Sequence, residues 1–131
     1  MTSAIAPASA PVGTYLAKLL VGNSEPGAPV LHLDLLIEAV TGRIVGHGQI
    51  TQAIAPPNDT IKINNITGAL REVTLPPENR LVSLKGSYTE PPTAIVLGFS
   101  ATLALDGESW TGRGSFTYGP HVVTDVPVRS R

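Results

Sequence analysis

The chain has 131 residues, no cysteine, and nine Lys plus Arg against ten Asp plus Glu, a formal net charge of -1. That length suits one domain with a core of its own, and the missing cysteine excludes disulfides, thiolate catalysis and cysteine-type zinc sites. With no run of like charges and no segment near the roughly 20 apolar residues of a spanning helix, neither nucleic acid binding nor membrane insertion is expected.

Residues 1–11, MTSAIAPASAP, carry no Lys or Arg and too short an apolar stretch for a secretory h-region. They read as a loose N-terminal arm of a cytoplasmic protein, with 12–131 as a single domain. From there the breakers leave apolar runs near 13–21, 30–40, 43–54, 60–70, 80–88, 94–105, 108–117 and 121–128, with turn-rich clusters such as GNSEPGAP, APPND, LPPEN and TEPP between them. The runs favour Val, Ile, Leu and Thr in period-two alternation, and no window offers a long helical stripe. The fold class expected is all-β and antiparallel, with about eight strands closing into a small up-and-down β-barrel; a two-sheet β-sandwich is the alternative. Segment 66–77 is the least regular.

Two runs end at turn dipeptides, Thr41-Gly42 and Asp106-Gly107, and a two-residue turn fixes every cross-strand pair. For the first hairpin the pairs are Ala39 with Ile44, Ile37 with Gly46, Leu35 with Gly48 and Leu33 with Ile50. For the second they are Leu103 with Trp110, Ala101 with Gly112, Phe99 with Gly114 and Leu97 with Phe116. In both, apolar residues and glycines sort to one face, and a four-residue loop would keep the same parity. Gly46-His47-Gly48 and Gly112-Arg113-Gly114 then fall on apolar faces, where glycine marks a closely approached or strongly coiled sheet.

On the polar face of the first hairpin, Asp34 and Glu38 are diagonal neighbours of His47, a geometry that allows a carboxylate-histidine pair. In this register His47 faces Leu36, so His32 lies roughly 13 Å along the partner strand, too far to share a metal ion. No metal site, no cofactor and no catalytic residue is therefore assigned. On the other hairpin Phe99, Trp110, Phe116 and Tyr118 share the inward face and are the candidates for binding an apolar ligand. Asn58, Asn64 and Asn65 form an amide-rich patch, and Asn65-Ile66-Thr67 matches a glycosylation acceptor, although the sequence shows no export signal.

The stretch Leu31 to Pro57, with its T-G-x-x-x-G-x-G hairpin and ITQA ending before a double proline, and the closing Val126-Pro127-Val128 resemble a family of small bacterial domains of unknown function. That resemblance implies a compact β-domain and no known activity. VLGFSATL (96–103) and SWTGRG (109–114) are similar to strands of the avidin-like barrels, which would make Phe99 and Trp110 barrel-lining residues. The polar residues that such barrels use early to grip biotin are replaced here in TYLAKLLVG (14–22). The function expected is a non-enzymatic binding or self-assembly domain, with homo-oligomer contacts through strand edges. A carrier of a small apolar ligand is the alternative, and a barrel isomerase or cyclase comes third.

Overall fold

The computed structural model describes residues 13–23, 25–56, 58–72, 79–90 and 92–131, and the arm read over 1–11 lies outside them. Alternation of apolar and polar side chains produces eight strands: β1 (Thr14–Val21), β2 (Val30–Glu38), β3 (Arg43–Thr51), β4 (Thr60–Glu72), β5 (Arg80–Glu90), β6 (Ile95–Leu105), β7 (Gly112–Tyr118) and β8 (His121–Ser130). Each pairs antiparallel with the next, and β8 returns to β1. The result is a closed up-and-down barrel rather than a two-sheet sandwich. Strand β2 shows the sorting rule: Leu31, Leu33, Leu35 and Ile37 are buried, while His32, Asp34, Leu36 and Glu38 point outward.

An eight-stranded barrel has an interior just wide enough for side chains to fill. Leu19, Leu33, Leu35, Ile37, Ile44, Ile50, Ile63, Ile66, Leu103, Phe116 and Tyr118 occupy it, and no polar or charged residue is fully buried among the described residues. The inward glycines are part of this packing. A Cβ added at Gly48 would stand 3.1 Å from Ile66 Cδ1 and 3.2 Å from Leu33 Cδ2, and one at Gly114 would stand 2.5 Å from Leu103 Cδ2. Neighbouring side chains thus take the room that side chains at these positions would need.

The registers differ from a two-residue-turn reading while keeping its faces. Ile37 pairs with Ile44, so the first loop has four residues, 39–42, and Ala39 is an exposed turn residue rather than a strand one. Its closing bond runs from the Gly42 amide to the Glu38 carbonyl at 2.8 Å, with Gly42 at φ +76°. That left-handed conformation is the reason for glycine there. Leu105 pairs with Gly112, which leaves a six-residue second loop, 106–111. Its cause is Asp106: the Oδ1 carboxylate oxygen accepts the amides of Glu108 at 2.8 Å and Ser109 at 3.2 Å, and the Asp106 carbonyl accepts the Trp110 amide at 3.0 Å. Both shifts are even, so no residue in the paired strands changes face.

Two bulges break the ladders. Between Gly46 and Gly48 the β3–β4 register slips by one, so Asn64 and Asn65 on β4 both face outward opposite His47. Asn65 then clasps β5: its Oδ1 accepts the Ser87 amide at 3.0 Å and its Nδ2 donates to Ser87 Oγ at 2.9 Å. On β8 the second bulge falls at Thr124-Asp125, with Asp125 at φ +52° and its amide donating to Ser115 Oγ at 3.1 Å. The irregular segment 66–77 resolves into the second half of β4, which continues unbroken to Glu72, while residues 73–78 lie outside the described residues.

Candidate functional site

The structure separates the four aromatic candidates. Phe99, Phe116 and Tyr118 are buried in the barrel, with Phe116 and Tyr118 stacked at 5.9 Å between ring centres. Tyr118 reaches the end where β3 finishes. Its hydroxyl donates to Gln52 Oε1 at 2.7 Å, Gln52 Nε2 donates to the Asn58 carbonyl at 2.7 Å, and the His121 ring lies 4.8 Å away. Burial pushes the Tyr118 phenol above its ordinary range.

Trp110 is not on the inward face of a strand. It belongs to the 106–111 loop at the opposite end of the barrel, held at φ +58°, where the ring meets Tyr15 edge-on at 5.8 Å and carries the Arg80 guanidinium 4.8 Å above it. The barrel-lining role implied by the avidin-like resemblance thus fits Phe99 and fails at Trp110. The longer loop is the reason, because it removes Trp110 from the ladder opposite Leu103.

The polar candidates lie on the outer wall. His47 faces Asp34, not Leu36, since the register is offset by two, and its Nδ1 is 3.8 Å from Asp34 Oδ2. His32, opposite Gln49, becomes a diagonal neighbour of His47 instead of lying four residues away. Glu38 is not part of this group. Its carboxylate accepts the Thr41 hydroxyl at 2.6 Å and serves the first loop. Among the described residues no cluster of three or more His, Cys, Asp or Glu side chains is arranged to hold a metal ion.

Sequence reasoning missed two contributors to this wall. Arg131 donates from Nη2 to Asp34 Oδ1 at 2.6 Å, and its amide donates to the Lys18 carbonyl at 2.9 Å. Lys62 joins it from β4, and a groove of about 430 Å³ forms between His32, Asp34, His47, Gln49, Lys62 and Arg131, with Asn64 at its side. Desolvation lowers the His32 pKa, and the Arg131 charge lowers it further against the opposing pull of Asp34. The signal that could have found Lys62 is the amide-rich bulge, since a bulge re-aims side chains on both of its flanks. Nothing local pointed to Arg131, because its contact with Asp34 exists only once β8 closes on β1.

A second surface lies along β1. Register with β8 covers only Leu19, Leu20 and Val21. The Lys18 carbonyl accepts Arg131 on that side, and alternate residues of a strand present their polar groups to the same side, so the N–H and C=O of Leu16 and Thr14 also face the seam. No described residue pairs with them. A cleft of about 320 Å³ runs along this stretch, bounded by Tyr15, Leu16, Lys18, Trp110, Ser130 and Arg131. Outside it, Leu16, Leu36 and Val45 form one cross-strand row and are 68%, 40% and 41% exposed, where a solvated wall would carry polar side chains.

These features define a small closed β-barrel with a packed interior, an irregular polar wall and one short seam. The sequence pattern of the family described as Domain of unknown function (DUF1842) matches residues 12–121, and the chain belongs to that family. The match ends at the first residue of β8, the strand that completes the barrel. Comparison with curated proteins gives no match. Among the described residues no helix is long and apolar enough to cross a membrane.

Proposed function

We propose that the domain is a non-enzymatic binding and self-assembly module whose contact strand is the free stretch of β1 and whose partner is a second copy of the chain. The observation that carries this reading is the coincidence of edge groups at Thr14 and Leu16, which no described residue pairs, with the exposed apolar row Leu16, Leu36 and Val45. An open edge is a template for another strand, and a twofold pairing of two such edges is self-complementary. Antiparallel β1 strands would set the apolar rows side by side. They would also bring Lys18 of one copy towards the Thr14–Glu38 pair of the other, a match of opposite charge.

The other two readings draw less from the molecule. A carrier needs an interior cavity, and the inward positions at Gly48 and Gly114 lack room even for a methyl group without displacing Ile66, Leu33 or Leu103. An isomerase or cyclase would draw on the outer wall, where the Asp34 carboxylate is already engaged by Arg131 and only the imidazoles of His32 and His47 are left as bases.

A free edge this short buries much less than the roughly 1,200 Å² of a stable interface, so the association is weak and concentration-dependent. Size-exclusion chromatography with light scattering over a concentration series should show mass rising towards that of a dimer. Leu16→Lys should abolish the rise, whereas Val96→Lys, on the exposed β5–β6 hairpin, should leave it intact. A strict monomer throughout, or a dimer indifferent to Leu16→Lys, rejects the proposal.

A further inference from the structure

We infer that the outer-wall groove between β2, β3, β4 and the end of β8 is a binding site for a tetrahedral oxyanion, the chemistry shared by phosphoryl and sulfuryl groups, independent of self-assembly. Its shape is the first support: about 430 Å³ of concave wall, reaching the backbone of the inward-facing Gly48 and flanked by Asn64, which faces outward at the β4 bulge. A regular ladder would present a flat face here, and bulges characteristically re-aim side chains beside binding sites.

Charge is the second support. Lys62 on β4 and Arg131 at the end of β8 stand on the groove with His32 on β2 and His47 on β3. Lys18 on β1 lies opposite Asp34, and Arg129 on β8 lies opposite Leu20, itself opposite His32. Against these groups, Asp34 is the one carboxylate side chain lining the groove among the described residues. Its Oδ1 takes a single Arg131 hydrogen bond at 2.6 Å, and its Oδ2 lies 3.8 Å from His47 Nδ1. Lys62 has no ion pair among the described residues. The chain as a whole has a formal charge of -1, yet four of its nine Lys and Arg residues, 18, 62, 129 and 131, gather on this one wall.

Donor geometry is the third. A tetrahedral anion offers more acceptor directions than a carboxylate, and it suits donors converging from several strands: the Arg131 guanidinium, with donors beyond the one given to Asp34, the Lys62 ammonium, the Asn64 amide and the imidazoles. The site strengthens with acid. Burial and Arg131 hold His32 below the ordinary imidazole range, so its neutral form leaves the groove less positive near neutrality. Protonation of His32 adds positive charge that an anion stabilises, and by linkage a bound anion raises the His32 pKa.

The test uses inorganic sulfate, whose charge is constant across the histidine range, followed by inorganic phosphate. Both are titrated into the full chain at low protein concentration and followed through the histidine ring resonances. Sulfate should give saturable shifts at the His32 and His47 rings, with affinity several-fold higher at about pH 5 than at about pH 7.5, because His32, held below the ordinary imidazole range, loses its proton across that interval. Phosphate should saturate the same resonances, and the tighter of the two identifies the preferred anion. Lys62→Gln and Arg131→Gln should each weaken binding several-fold, and Lys85→Gln, on a different part of the outer wall, should not. Shifts that grow linearly with either salt, or binding unaffected by Lys62→Gln, overturn the inference. An unchanged far-ultraviolet spectrum in each variant keeps loss of binding distinct from loss of fold.

Discussion

Gly114 lies where β7 crosses the fully buried Leu103, and an added methyl group would stand 2.5 Å from Leu103 Cδ2 and 3.1 Å from Val128 Cγ2. Both neighbours are packed, so the strain cannot be released into solvent. Gly114→Ala should cost about 1–3 kcal/mol of stability, the usual range for overpacking, and urea denaturation would read it as a lower midpoint with an unchanged slope. Tyr118 tests the opposite kind of residue, a buried aromatic with a polar tip. Tyr118→Phe keeps the stacking with Phe116 but removes the donor to Gln52, at a cost of about 1 kcal/mol. A variant as stable as the parent would mean that water serves Gln52 equally well. At this scale the inward placement of Phe99, Phe116 and Tyr118 was legible in the sequence, since parity alone decides a strand residue's face. The Tyr118–Gln52 bond was not, because it joins residues 66 apart.

Turn chemistry decides the elements, and Asp106 is the clearest case. An Asp-Gly dipeptide between alternating runs signals a two-residue hairpin turn, but the Asp106 carboxylate organises a wider loop by accepting the Glu108 and Ser109 amides. Sequence reading therefore found the strands and their faces and allowed for the four-residue first loop, but missed the six-residue second loop and with it the position of Trp110. The β4 bulge escaped for a related reason: Asn64 and Asn65 are both polar, so the pattern could not show which of the two was extra. The same loop predicts a pH effect. Backbone hydrogen bonds from Glu108, then Ser109, lower the Asp106 pKa below its ordinary 3.8. A carboxyl group depressed by folding contributes stability that is present above its unfolded pKa and is lost as pH falls through the folded one. Thermal midpoints from about pH 7 to about pH 3 should therefore fall more steeply for the parent than for Asp106→Asn, which keeps an acceptor but has no charge to titrate. Equal slopes would remove the loop from the acid response.

Closure governs the whole molecule, and the seam that achieves it is short. Strands β5 and β6 share eleven register pairs, from Arg80 with Leu105 to Glu90 with Ile95, whereas β1 and β8 share three. Two flanking bonds, from the Gly22 amide to the Pro127 carbonyl at 3.0 Å and from the Arg131 amide to the Lys18 carbonyl at 2.9 Å, extend the seam by one step each way. Local opening free energies follow the number of buried contacts and hydrogen bonds that must break together, so this seam should open before the rest of the wall. Its inner side is apolar, with Leu19, Val21, Val126 and Val128 all buried, and each opening therefore exposes core. Native-state hydrogen exchange should find the amides of Leu20, Arg129 and Arg131 exchanging through a local event, while those of Ala101 and Leu103 on β6 exchange only with global unfolding. The Asp34–Arg131 ion pair spans the seam and should slow that local event, so Arg131→Gln should accelerate exchange at Leu20 and leave β6 unchanged. If β6 instead exchanged as fast as the seam, the barrel would open as one unit and the free stretch of β1 would be no more available than any other edge.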